Sequence, residues 1–160
     1  MRVNMLFAAL AVGLCLSAAA SLCAGPTTAN PFGAGIAVGG GLLGDVANAS
    51  LTGKYWFDGN HALDMGLGGG VYGVDLNADF LWHNYKVFHH RNGLALYYGP
   101  GAYVNVGKGF GTGVQAKIGV TWLLTRTPWE VYGEAVPALN LVGGLGFGVG
   151  AAVGGRYYFF

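Results

Sequence analysis

Charge is what this chain has least of. Only 9% of its 160 residues are charged, against roughly 25% in a soluble domain. The net charge is +1 and no basic run occurs. Binding to nucleic acid needs a basic patch, so that class is excluded as a partner. Cysteine is nearly absent too. Cys15 and Cys23 both fall in the first 24 residues, a stretch that reads as a secretory leader. Arg2 gives it a positive start, Met5–Leu16 an apolar core, and small residues follow. Cleavage is expected after Ala24, with Ala20 as the alternative. The apolar run is short for a retained membrane helix. A lipid anchor at Cys23 is disfavoured by Leu22, where a small residue is wanted. A chain cleaved after Ala24 has no disulfide, no thiol chemistry and no cysteine metal site. It also has a single serine, Ser50.

Glycine is abundant instead, at 31 residues. Low charge with many glycines and aromatics argues against disorder and against a water-facing surface. The clearest pattern runs from Phe147 to Phe160. Phe147, Val149, Ala151, Val153, Gly155, Tyr157 and Phe159 alternate with Gly148, Gly150, Ala152, Gly154, Arg156 and Tyr158. Period two means a strand with unlike faces. A membrane helix is the rival, because Ala138–Gly155 holds 18 residues without charge. Five glycines between Gly143 and Gly150, each costing about 1 kcal/mol in a helix relative to alanine, weigh against it.

The same alternation recurs upstream. Segments are expected near 32–42, 50–57, 62–71, 74–82, 94–106, 114–124 and 129–139, with the eighth at the end. Asp58-Gly59-Asn60, His89–Gly93 and Arg126–Pro128 supply turns. Pro100 falls in the outward set and should weaken the ladder there. Eight strands of this length suit a tilted bilayer crossing. An open edge cannot survive in lipid, so the sheet must close. The fold class is therefore all-β: an eight-stranded, antiparallel, up-and-down transmembrane β-barrel over residues 25–160, behind a signal peptide at 1–24. Both ends then lie at the periplasmic side.

The charges sort by face. Lys54, Asp64, Asp75, Asp79, Lys117, Glu130, Glu134 and Arg156 all fall on the inward side. An ion-pair network is expected inside the barrel, with Glu134–Arg156 and Glu134–Lys117 as its main pairs. Asp64, Asp75 and Asp79 are expected to form an acidic group near Lys54. Such side chains fill the lumen and satisfy each other, as buried charges must. A narrow gated ion path is the sharper alternative. Eight strands leave room for their own side chains and little more.

Catalysis has little support. No local motif brings Ser50 to a histidine and an acid. His83, near Asp79, is the best lone candidate, and a structural role suits it better. His89 and His90 lack the ligand spacing of a metal site. Gly39-Gly40-Gly41 is not a phosphate loop, since no Lys-Ser/Thr follows. No cofactor is expected.

The last hairpin also carries a resemblance. Pro128, Glu130, Val131, Tyr132, Glu134, Pro137, Leu139 and Asn140, then Gly154, Gly155, Arg156, Tyr157, Tyr158 and Phe159, resemble the small OmpA-like outer-membrane β-barrels. The likeness is to an uncharacterised bacterial group ending in Arg-Tyr-Tyr-Phe. It implies an eight-stranded barrel in the outer membrane, surrounded by lipid. It also implies delivery by periplasmic chaperones and insertion by the assembly machinery. That machinery would read Tyr157, Tyr158, Phe159 or the additional Phe160 as its signal. The resemblance brings no catalytic residues. The expected role is structural, in the envelope, as a monomer. A channel is the runner-up; an adhesin and a lipid-modifying enzyme are weaker readings.

Overall fold

The computed structural model describes residues 32–41, 48–70, 73–88, 93–107, 109–124 and 127–159. The expected signal peptide, His89, His90, Arg126 and Phe160 lie outside the described residues.

Eight strands follow one another in chain order. They are β1 (Phe32–Gly41), β2 (Asn48–Trp56), β3 (His61–Gly70), β4 (Gly73–Asn84), β5 (Leu94–Gly107), β6 (Phe110–Leu123), β7 (Trp129–Val142) and β8 (Gly146–Tyr158). Each pairs antiparallel with its chain neighbours, and β1 pairs with β8 to close the barrel. Closure leaves no edge with unpaired backbone groups. The stretch after Trp82 that loses alternation continues β4 to Asn84 and then forms a short 3-10 turn, Lys86–Phe88. Strand β6 starts at Phe110, earlier than the Val114 expected from side-chain pattern, because a tight connection bonds Gly107 N–H to Gly109 O at 3.1 Å.

The register fixes the shape. A row of paired residues runs Asn140, Gly113, Tyr103, Asn77, Gly66, Thr52, Gly35, Arg156 and back to β7 at Glu130. The circuit returns ten residues from where it began, a shear of 10. Eight strands at that shear tilt by roughly 40–45° and enclose a bore that side chains fill.

Alternation then decides the two faces. Ile36, Leu51, Leu76, Val114, Ile118, Val131 and Val153 point outward and stay exposed. An apolar surface of this extent would drive association in water; it suits lipid. At the end where β1 begins and β8 stops, here the terminal end, the outward ring is aromatic. Phe57 stacks on Phe80, Phe80 meets Trp82 edge-on, and Tyr157 meets both Trp129 and Phe159 edge-on.

Inside, the terminal half is packed. Trp56, Ala62, Leu123 and Tyr158 form one buried layer, with Tyr85 against it. Burial, and then the charge of Glu130, push the Tyr85 hydroxyl up to about 12. Ala37, Leu81, Tyr97 and Tyr132 form a second layer. The far half is lined mainly by small residues. A Cβ on inward-facing Gly148 would meet no heavy atom within 4 Å.

Candidate functional site

Beside and beyond these two apolar clusters stands a set of charges, each projected inward by the same period-two alternation. Lys54, Asp64, Asp79, Lys117, Glu130 and Arg156 are buried, and the Glu134 side chain is only 6% exposed. Carrying them into a barrel without partners would be prohibitive, so each must be met.

Glu130 is the centre of the lower group. Lys54 Nζ, from β2 across the lumen, donates to Glu130 Oε1 at 2.7 Å. Thr121 Oγ1 donates to the same oxygen at 2.5 Å. Tyr158 Oη donates to Oε2 at 2.5 Å, and Arg156 Nη1 reaches Oε2 at 3.5 Å. Trp56 Nε1 in turn donates to Tyr158 Oη at 2.9 Å, tying the apolar layer to the charges. Lys54 also lies over the Trp56 ring, 4.7 Å from its centroid.

Lys117 is the centre of the upper group. Its Nζ stands 2.8 Å from Asp64 Oδ2, 3.0 Å from Asp79 Oδ2 and 3.6 Å from Glu134 Oε1. Gln115 Nε2 donates to Asp79 at 2.7 Å, and Tyr97 Oη donates to Glu134 at 2.5 Å. Asp64 joins the groups, because its other oxygen accepts from Arg156 Nη2 at 2.6 Å. Arg156 completes its shell with Thr52 Oγ1 at 3.2 Å and the Tyr132 ring at 3.9 Å.

The pairing differs from expectation in two respects. Arg156 does not pair with Glu134. In the β7–β8 register it stands opposite Glu130, while Glu134 stands opposite Ala152. Nor do three aspartates gather near Lys54. Asp64 and Asp79 face each other across β3 and β4 and share Lys117. Asp75 sits nearer the far end and accepts from Asn105 at 2.6 Å. Lys54 stands opposite Asp64 in register, yet its ammonium crosses to Glu130.

Sequence reasoning overlooked the neutral members: Thr52, Tyr97, Gln115, Thr121 and the inward Tyr158. Their signal was available, since each is a hydroxyl or amide in the same inward register as the charges. His83 stacks between Trp56 and Tyr97, at centroid distances of 4.3 and 5.5 Å. Its Nδ1 lies 3.3 Å from Asn60 O. Among the described residues no hydrogen bond joins Ser50 to a histidine, and no group of three potential metal ligands forms.

The chemistry of the site is thus that of a plug. It spans the bore with charge-assisted bonds and leaves none of its ions facing open solvent. The sequence matches no family model. No curated protein matches it either. Among solved structures it is similar to the N-terminal β-barrel domain of OprF from Pseudomonas aeruginosa. The TM-score is 0.59 at 15% identity, over 80% of this chain and 98% of that domain. The likeness is one of fold. This chain, like that domain, folds as a closed β-barrel.

Proposed function

We propose that the protein is an integral barrel of a bacterial outer membrane with a structural role in the envelope, its bore sealed by its own side chains. Residues 1–24 act as a cleaved leader and 25–160 as the membrane domain. The terminal end faces the periplasm, which places its aromatic ring at the inner interface. Tyr157 and Phe159 on the outer face, with Tyr158 and Phe160, serve as the signal read during insertion. Lipid, periplasmic chaperones and the assembly machinery are its partners, and it works as a monomer.

The observation that carries this reading is the cross-lumen cluster. Lys54 and Glu130, from strands on opposite sides of the bore, are both fully buried at 2.7 Å. An ion would have to displace such pairs and then pass Trp56 and Tyr158. Conductance in planar bilayers tests it. The folded protein should give no single-channel steps, whereas discrete, reproducible steps would overturn the sealed-bore reading.

A gated narrow channel is the second reading, favoured by the small lining of the far half. It requires the Trp56–Tyr158 layer to move. Steps that appear only when both residues are replaced by alanine would support a sealed bore; steps in the unaltered protein would support the gate.

A further inference from the structure

The backbone ladder is unbroken around most of the barrel. Pairs run without a gap from Phe32 to Gly39 along β1–β2, from Ala49 to Trp56 along β2–β3 and from His61 to Gly70 along β3–β4. They also run unbroken along β5–β6, β7–β8 and the closing seam β1–β8. Two seams differ. Between β4 and β5 the pairing skips from Asp79↔Gly101 to Trp82↔Tyr98. Between β6 and β7 it skips from Gln115↔Ala138 to Ile118↔Ala135.

Each gap contains a proline, Pro100 in β5 and Pro137 in β7. Proline has no N–H to give, so the carbonyl it faces loses its ladder donor. By register those carbonyls belong to Phe80 and Ala116. Pro100 pairs directly with Ala116. Phe80, Pro100, Ala116 and Pro137 therefore form one transverse row in the outward register, and the Phe80 and Ala116 carbonyls have no ladder donor there. The two gaps flank a single element, the β5–β6 hairpin, whose own ladder runs through thirteen pairs. Lys117 and Asp79, members of the upper charge group, sit immediately beside the gaps.

We propose that the β5–β6 hairpin is a separable panel of the barrel. Its two seams part ahead of every other seam and open a lateral route between the bilayer and the Lys117 end of the plug. The inference rests on the ladder alone and does not depend on whether the bore conducts. Lys54 is the internal reference. It is buried and ion-paired like Lys117, but the seams on both sides of β2 are unbroken.

The test is amine labelling of the folded protein in detergent by phenyl isothiocyanate, a small apolar reagent that partitions with the detergent. Lys117 should be modified at least tenfold faster than Lys54. In a P100A/P137A double variant, which restores both donors, the Lys117 rate should fall at least tenfold while Lys54 is unchanged. An unchanged Lys117 rate would assign its labelling to entry through the far opening of the bore and overturn the panel, as would faster labelling of Lys54. Should the double variant fail to fold, residue-resolved amide exchange of the unaltered protein decides. Faster exchange along β4–β5 and β6–β7 than along β1–β8 supports the panel, and the reverse order refutes it.

Discussion

The terminal and far halves of this barrel solve the same geometric problem in different ways. Both must line a bore of one width with inward side chains from the same eight strands. The terminal half fills it with large residues: Trp56, Tyr97, Tyr158, Arg156 and Lys54 are locked by hydrogen bonds, and Tyr132 stacks under Arg156. The far half lines it mainly with small residues, beside Asp75, Tyr103 and Asn105, and leaves open space at Gly148. The difference teaches where the fold is specified. A buried ion pair adds little net stability compared with well-packed apolar groups, but removing one partner is costly. The charges therefore act as constraints on register: a slip by one residue would turn the inward set, charges included, toward lipid.

The largest predicted effect follows from breaking the plug at its joint. Arg156→Leu strips one partner each from Asp64 and Glu130, and removes the contacts to Thr52 and Tyr132. A loss of about 3–5 kcal/mol is expected for a broken buried pair, seen as a large drop in the temperature at which the folded gel band is lost. An equal loss from Asp75→Asn, in the far half, would erase the contrast between the halves.

A pair of substitutions on one strand sharpens it. A Cβ on Gly154 would stand 2.6 Å from Tyr132 Oη and 2.7 Å from Ile36 O, both too close. Gly148, six residues earlier on the same face of β8, has open space. Gly154→Ala should cost about 1–3 kcal/mol through overpacking, while Gly148→Ala should be tolerated. Comparable melting losses from the two would mean that the far half is also filled.

The strands, their order and both faces were legible in the sequence because alternation reports which way a side chain points. What alternation does not report is which residues meet across a seam. Glu134 and Arg156 are on neighbouring strands and both point inward. The register set by the β7–β8 turn, with Gly143 at φ 94° and Gly144 at φ 124°, instead puts Glu130 beside Arg156. Contacts across the lumen are less legible still. Lys54 and Glu130 are 76 residues apart, and meet only because eight strands close at one particular shear. Pro100 was legible as a weak point from its missing donor alone. That it shares a transverse row with Pro137 required the register.

A small effect is expected in the far half. Asp75 accepts one hydrogen bond, from Asn105, and has no ion-pair partner among the described residues. Asp75→Asn should change stability by less than about 1 kcal/mol, the scale of a single partly exposed hydrogen bond. Guanidinium titration of the folded band would check it. A loss several times larger would place Asp75 in the plug rather than above it.

The smallest effect lies beyond both halves, in the β2–β3 turn. Asp58 accepts from the backbone N–H groups of Asn60 at 2.7 Å and His61 at 2.8 Å, and its second oxygen lies 2.7 Å from His61 Nδ1. The Asn60 N–H, followed by the His61 side chain, holds its carboxyl below the ordinary 3.8. A depressed value in the folded state means that the carboxylate contributes stability above pH 3.8 and loses it as pH falls through the lower folded value. The group is solvent-exposed, so the contribution is screened and minor. Asp58→Ala should lower the melting midpoint slightly at pH 7, and the gap from the unaltered protein should narrow as pH falls below 3.8. A gap that widened in acid would reverse the assigned sign and remove the turn as a source of stability. A gap as large as that of Arg156→Leu would mean that an exposed turn, rather than the plug, holds the terminal half together.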